Sequence, residues 1–224
     1  MKAQIGGWHL VAAVTFAAAC LTGGSAFAQM PIPGYPSRAE DFDAREIAML
    51  PRYCLYTQMF RERVPGGNDP AMISQWYSYM GEIYHHVHHY CLGLMKANRG
   101  QVLARDPDAR RFYLADSVVE FDYVITKAED SFVLMPEMLT KKGESLVLLG
   151  KGPLGVLQFE RAIEVKSDYW PAYAQMSDFY KAAGDTKKAR EVLESGLKHA
   201  PGAKGLQRRL SELDASSSRG GAKR

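Results

Sequence analysis

The most unusual stretch of this chain for possible chemistry is Tyr84-His85-His86-Val87-His88-His89-Tyr90-Cys91. His85, His86, His88 and His89 lie within five positions, and the whole sequence has only six histidines. On a helix, residues three or four apart share a face, so His85 pairs with His88 or His89, and His86 with His89. Such imidazole pairs bind Zn²⁺ or Cu²⁺, with Glu82 or Cys91 one turn away as a further ligand. One helix cannot surround an ion, and His199 is the sole histidine outside the cluster once His9 is set aside. The alternatives are a metal or haem-iron site, a contact with a partner, and polar residues packed between helices, which is the preferred reading. No Cys-x-x-Cys-His occurs, which excludes covalent haem attachment. No cofactor is expected.

The cysteines come next. Cys20 falls in an apolar leader: Lys2 is the one charge before residue 29, and Ala26-Phe27-Ala28 is a small-x-small cleavage sequence. Residues 1–28 read as a secretory signal peptide, with export to the periplasm or medium. An outer-membrane lipoprotein processed at Cys20 is the alternative. Export leaves Cys54 and Cys91, an even pair expected to form a disulfide. Closing a loop of that length is worth about 3 to 4 kcal/mol by loop entropy. No stretch of the mature chain is apolar enough to span a membrane. Lys2 leaves with the leader, so 27 basic side chains face 25 acidic ones. Without a basic face, nucleic-acid binding is not expected. No nucleophile elbow, phosphate loop or dinucleotide glycine pattern is present, and the chain reads as a non-enzyme.

The elements that position these residues show themselves best between 136 and 201, where one pattern is written twice. A step of 34 residues carries Gly143 onto Ser177, Leu146 onto Tyr180, Gly150 onto Gly184, Gly155 onto Ala189, Phe159 onto Leu193 and Ala162 onto Gly196. Small residues where helices must touch, with large apolar ones between, mark stacked helix pairs. The second copy resembles the tetratricopeptide repeat through Tyr173, Met176, Ser177, Tyr180, Gly184, Ala189, Leu193 and Pro201. It departs from that family at Tyr173, often Trp there, and at Gly196, usually Ala. Residues 203–213 read as a capping helix through Leu206, Leu210 and Leu213, with Arg208, Arg209, Glu212 and Asp214 solvated.

Upstream, Asp69-Pro70 and Asp106-Pro107 are helix starts. The first opens a helix to 98, with a break at Met80-Gly81 as the alternative. Tyr77, Met80, Gly81 and Tyr84, with Ser117, Phe121 and Val124, read as a degenerate repeat that contains an insertion. The expected organisation is therefore a leader at 1–28 and an N-terminal extension at 29–69 with short helices at 39–49 and 53–63. A degenerate pair follows at 70–134, then two repeats with their cap at 135–214 and a disordered basic tail at 215–224. The expected class is all-α, an α-α superhelix of helix pairs with the extension pinned to it.

The resemblance implies a groove for a protein or peptide, lined by Glu137, Thr140, Lys141 and Glu144 in one repeat and by Ala174, Asp178 and Lys181 in the next. In the usual register His85 and His86 would face it. The Lys and Asn set with which some relatives grip a C-terminal carboxylate is absent. The implied function is an exported scaffold for protein–protein interaction, including an accessory role in an envelope assembly. A metal- or haem-handling protein is the alternative.

Overall fold

The computed structural model describes residues 42–221. The leader, its cleavage sequence, Cys20 and the start of the extension lie outside the described residues. Among those described the protein is all-α, with no strand. A short α1 (Ala44–Ala48), a 3-10 turn (Arg52–Tyr56) and α2 (Gln58–Arg61) make the extension. Then come α3 (Pro70–Met80), a 3-10 turn (Gly81–His86), α4 (Val87–Asn98), a π-turn (Arg99–Leu103) and α5 (Pro107–Ile125). The remainder is α6 (Met135–Leu148), α7 (Gly152–Val165), α8 (Trp170–Ala182), α9 (Thr186–His199) and α10 (Lys204–Gly221). Helices α4 with α5, α6 with α7, and α8 with α9 form successive packed pairs, and α10 closes the stack against α8 and α9.

The stops and starts follow the sequence. Gly150 and Gly184 have φ of 76° and 84°. At each, the same pair of amides turns back: Lys151 to Leu146 O and Gly150 to Val147 O, then Asp185 to Tyr180 O and Gly184 to Lys181 O. This satisfies the last carbonyls of α6 and α8 in one motif, used twice. Asp69 caps α3, Asp106 caps α5 and Asp185 caps α9. The expected helix over 70–98 does break at Gly81, whose φ of 65° and ψ of −156° suit only glycine. The backbone of α10 stays helical through Gly221, past the point where composition suggests a disordered tail. Arg209 of α10 is only partly solvated, because it grips Asp178 of α8 with two nitrogens at 2.8 and 3.0 Å.

Close approach within each pair rests on a small residue under a large one. A Cβ on Gly143 would lie 2.4 Å from Cε1 of Phe159, and one on Gly155 would lie 2.8 Å from the Gly143 carbonyl. In the last pair, Ser177 fills the same place and donates its hydroxyl to Ala189 O at 3.0 Å. The first pair uses Gly93, where a Cβ would lie 2.5 Å from Cε1 of Phe121. Its second helix therefore has the expected register, with Ser117, Phe121 and Val124 fully buried. Its first helix does not: Gly93 of α4, rather than Gly81, is the contact residue. The reason is physical. Every residue from Tyr90 to Ala97 is buried, so α4 shows no amphipathic stripe by which to read its register.

The extension is fixed across α4. Cys54 and Cys91 are bonded, with Cα atoms 5.6 Å apart. Tyr84 donates to Tyr56 O at 2.7 Å, and Arg99 forms a two-pronged ion pair with Glu46 in which both side chains are buried. Phe60 is fully buried in the same cluster as Val87, Tyr90 and Met138.

Two outcomes check this architecture. Denatured, unreduced mature protein should titrate no free thiol, and two after reduction; two reactive thiols before reduction would contradict the bridge. Gly143→Ala should lower unfolding free energy by about 1–3 kcal/mol through overpacking. Gly202→Ala, whose Cβ meets nothing within 4 Å, should leave it nearly unchanged. Equal effects in urea melts would contradict the close helix contact.

Candidate functional site

The register set by Gly93, Gly143 and Ser177 aligns the first helices of the three pairs position by position. Residues 137, 140, 141, 144 and 147 of α6 correspond to 171, 174, 175, 178 and 181 of α8, and to 87, 90, 91, 94 and 97 of α4. In α4 these are Val87, Tyr90, Cys91, Leu94 and Ala97, all buried. In α6 and α8 the set includes Glu137, Lys141, Glu144, Gln175, Asp178 and Lys181, none of them buried. These six side chains are polar and reach the surface where the first pair is apolar and covered, whereas Thr140 and Ala174, aligned with Tyr90, are buried like it. What covers the face in the first pair is the chain's own extension, bonded at Cys91.

The join between covered and open surface is Glu137. Its Oε1 accepts hydrogen bonds from Tyr90 OH at 2.7 Å and Tyr53 OH at 3.4 Å. Burial and the adjacent carboxylate push both phenols well up from their ordinary range, and Tyr169 likewise. Glu137 therefore ties the extension to α6 and is not a free groove carboxylate. Thr140 is also withdrawn from the groove: it is buried and returns its hydroxyl to Pro136 O at 2.8 Å. Lys141 and Glu144 pair at 2.9 Å, and Asp178 is held by Arg209. Lys181 is exposed. Between α6 and α8 lies a cleft of about 280 Å³, with Glu144, Leu148, Gln175, Asp178 and Phe179 along it and Gln101 of the π-turn at its edge.

The four histidines do not share one centre, and the one pair of them in ring contact is His88 and His89, 4.4 Å apart. His85 is exposed, its ring 5.3 Å from that of Tyr77 and its Nε2 3.9 Å from Glu82. His88 Nδ1 lies 3.0 Å from His85 O. His89 Nδ1 lies 2.6 Å from Glu120 of α5, and its ring rests 3.8 Å from that of Tyr123. His86 reaches Tyr123 OH at 3.4 Å. His86 therefore packs towards the second helix of its pair, away from the face aligned with the groove, because α4 carries the repeat register in place of residues 77–84. Among the described residues no three His, Cys, Asp or Glu side chains are grouped to hold a metal ion.

One feature escaped the sequence reading. Lys96, buried in the last turn of α4, bonds Asp116 at 2.8 Å and Glu120 at 2.5 Å, and Glu120 bridges to His89. A single lysine inside the apolar run from Cys91 to Ala97 was the available signal, since a buried ammonium demands carboxylates from a neighbouring helix. The chain matches no protein-family model and no curated protein.

The cluster sets a pH dependence. Burial first, then repulsion from Lys127 and neighbouring histidines, lowers the affinity of His86 for a proton. Burial and His89 do the same to His88. Both groups bind protons more weakly folded than unfolded, so their neutral forms favour the fold. That contribution is complete above about pH 6.5 and is lost as pH falls from there towards the depressed values. The urea midpoint should be lower at pH 5.5 than at pH 7.5, and His88→Gln should narrow the difference. An equal or higher midpoint at pH 5.5 would contradict this.

Proposed function

We propose that this chain is a tetratricopeptide-type scaffold, exported to the periplasm or medium, that holds a protein or peptide against the α6–α8 face. The observation that carries the reading is the change of character along the aligned first helices. Where the face is apolar the chain covers it with its own residues; where it is polar it stays open beside a cleft. Surfaces kept open with mixed charge and a few apolar contacts suit a reversible partner. The resemblance supplies the family, the leader supplies export, and the disulfide belongs to an oxidising compartment outside the cytoplasm. Among the described residues no helix is long and apolar enough to cross a membrane. An accessory place in an envelope assembly fits such a scaffold.

The test is capture from envelope extracts with three immobilised proteins: wild type, Gln175→Arg/Lys181→Glu, and Leu157→Ser on α7 as a control outside the aligned face. Circular dichroism should be the same for all three, since these side chains are not buried. A partner held by wild type and the control, and reduced at least tenfold on the double variant, is the expected outcome. Capture that is indifferent to the double variant would reject this face.

A further inference from the structure

Docking of the extension builds a second surface, away from the α6–α8 face. Between α2, residues 65–69, the start of α3 and the 3-10 turn after it lies an open cleft of about 580 Å³. Its floor is Tyr84, buried, with its hydroxyl committed to Tyr56 O at 2.7 Å. Its wall is Tyr77, whose hydroxyl is held by Glu82 and whose ring meets Tyr84 edge-on at 6.4 Å. The His85 ring continues that wall at 5.3 Å. Both tyrosine rings are thus fixed at their far ends, and the cleft is formed before any ligand arrives. The Cys54–Cys91 bond holds the segment bearing α2 against α4, so the opposite wall is fixed as well.

The opposite rim carries Gln58, Arg61, Glu62 and Asn68, and a fifth polar side chain, Ser74, lies one turn before Tyr77 on α3. None of these five makes a side-chain hydrogen bond or ion pair with another described residue. One cation and one anion leave the rim without net charge. Gln58, Asn68 and Ser74 can each donate and accept. An anionic ligand would meet Glu62, and a wholly apolar one would strip water from five polar side chains and return no hydrogen bonds. A neutral polyhydroxylated ring meets every demand. Its hydroxyls both donate and accept, Arg61 and Glu62 can each bridge adjacent hydroxyls, and its C–H face lies on the aromatic wall.

We propose that this cleft binds a neutral oligosaccharide, with Tyr77 and His85 as the stacking wall and Gln58, Arg61, Glu62 and Asn68 as the hydroxyl-reading rim. The proposal is independent of the partner face on α6 and α8. An exported protein meets glycans both as free oligosaccharides and as polymer strands, and the shared chemistry is the hydroxylated ring.

Calorimetric titration of the oxidised mature chain with maltotetraose, cellotetraose and chitotetraose, each to about 10 mM, reaches Kd values in the millimolar range. At least one should bind, and Asn68→Ala, an exposed change that leaves the melt unaltered, should weaken it tenfold or more. Tyr77→Ser should abolish it, and reduction of the disulfide should weaken it by loosening one wall. Insoluble glucan and chitin pulled down with the protein distinguish polymer from free sugar, either of which supports the site. Failure of all three tetrasaccharides to bind, or wild-type affinity in Asn68→Ala, overturns the proposal.

Discussion

The bond between Cys54 and Cys91 governs the rest of the molecule because of where it lies. Cys91 occupies a position on α4 that, one pair later, is Lys141 and, two pairs later, Gln175. The same line of first-helix positions runs on into α6 and α8. Here its first segment is Val87, Tyr90, Cys91, Leu94 and Ala97, which would be an exposed apolar strip without a cover. Residues 42–64 supply that cover. The disulfide keeps them from leaving by shrinking the loop entropy of separation, while Phe60 and Tyr53 supply the burial that favours contact. The buried pair of Glu46 and Arg99 adds direction: a charge pair taken out of water stabilises little in total but strongly disfavours any docking that splits it.

The stack itself depends on volume. Phe121, Phe159 and Leu193 occupy one position in three successive pairs; Gly93 and Gly143 receive the two phenylalanines, and Ser177 stands at the matching place in the last pair. A large side chain on one helix thus requires a small one opposite, and this sets how closely each pair approaches. The first pair departs elsewhere. Lys96 replaces Leu146 and Tyr180 at its own position and draws Asp116 and Glu120 from α5, so an ionic contact stands where the later pairs have an apolar one. His89 joins through Glu120, which explains one of the four clustered histidines. Tyr123 packs on His89 and also on His86, Tyr77 packs on the exposed His85, and His88 lies against the His89 ring with its Nδ1 at His85 O.

The later half of the chain was legible because it repeats. Gly150 and Gly184 stop helices where an αL residue is needed, and Asp185 caps α9, so pattern and local chemistry agree there. The pairing of Cys54 with Cys91 followed from export and an even count. The first pair was half legible. Ser117, Phe121 and Val124 keep their stripe on a helix with a solvated side, whereas α4 is buried all round and its periodicity vanishes. That loss shifted the first-helix register by twelve residues, from Gly81 to Gly93, and placed His85 and His86 on the wrong face. Glu137 and Thr140 looked like groove residues because spacing says which face a side chain shares. It does not say that Tyr53 and Tyr90 arrive from other elements to bond one of them, or that the other turns its hydroxyl back to Pro136.

The central claim is that residues 42–64 are an intramolecular cover held on α4 by the disulfide, while the later pairs fold on their nearest-neighbour contacts. Native-state hydrogen exchange of the oxidised chain and of the Cys54→Ser/Cys91→Ser double variant tests it directly. Protection should fall at residues 44–64 and along α4, and remain in α6 to α9. Unchanged protection at 44–64, or an equal loss throughout the stack, would contradict the account.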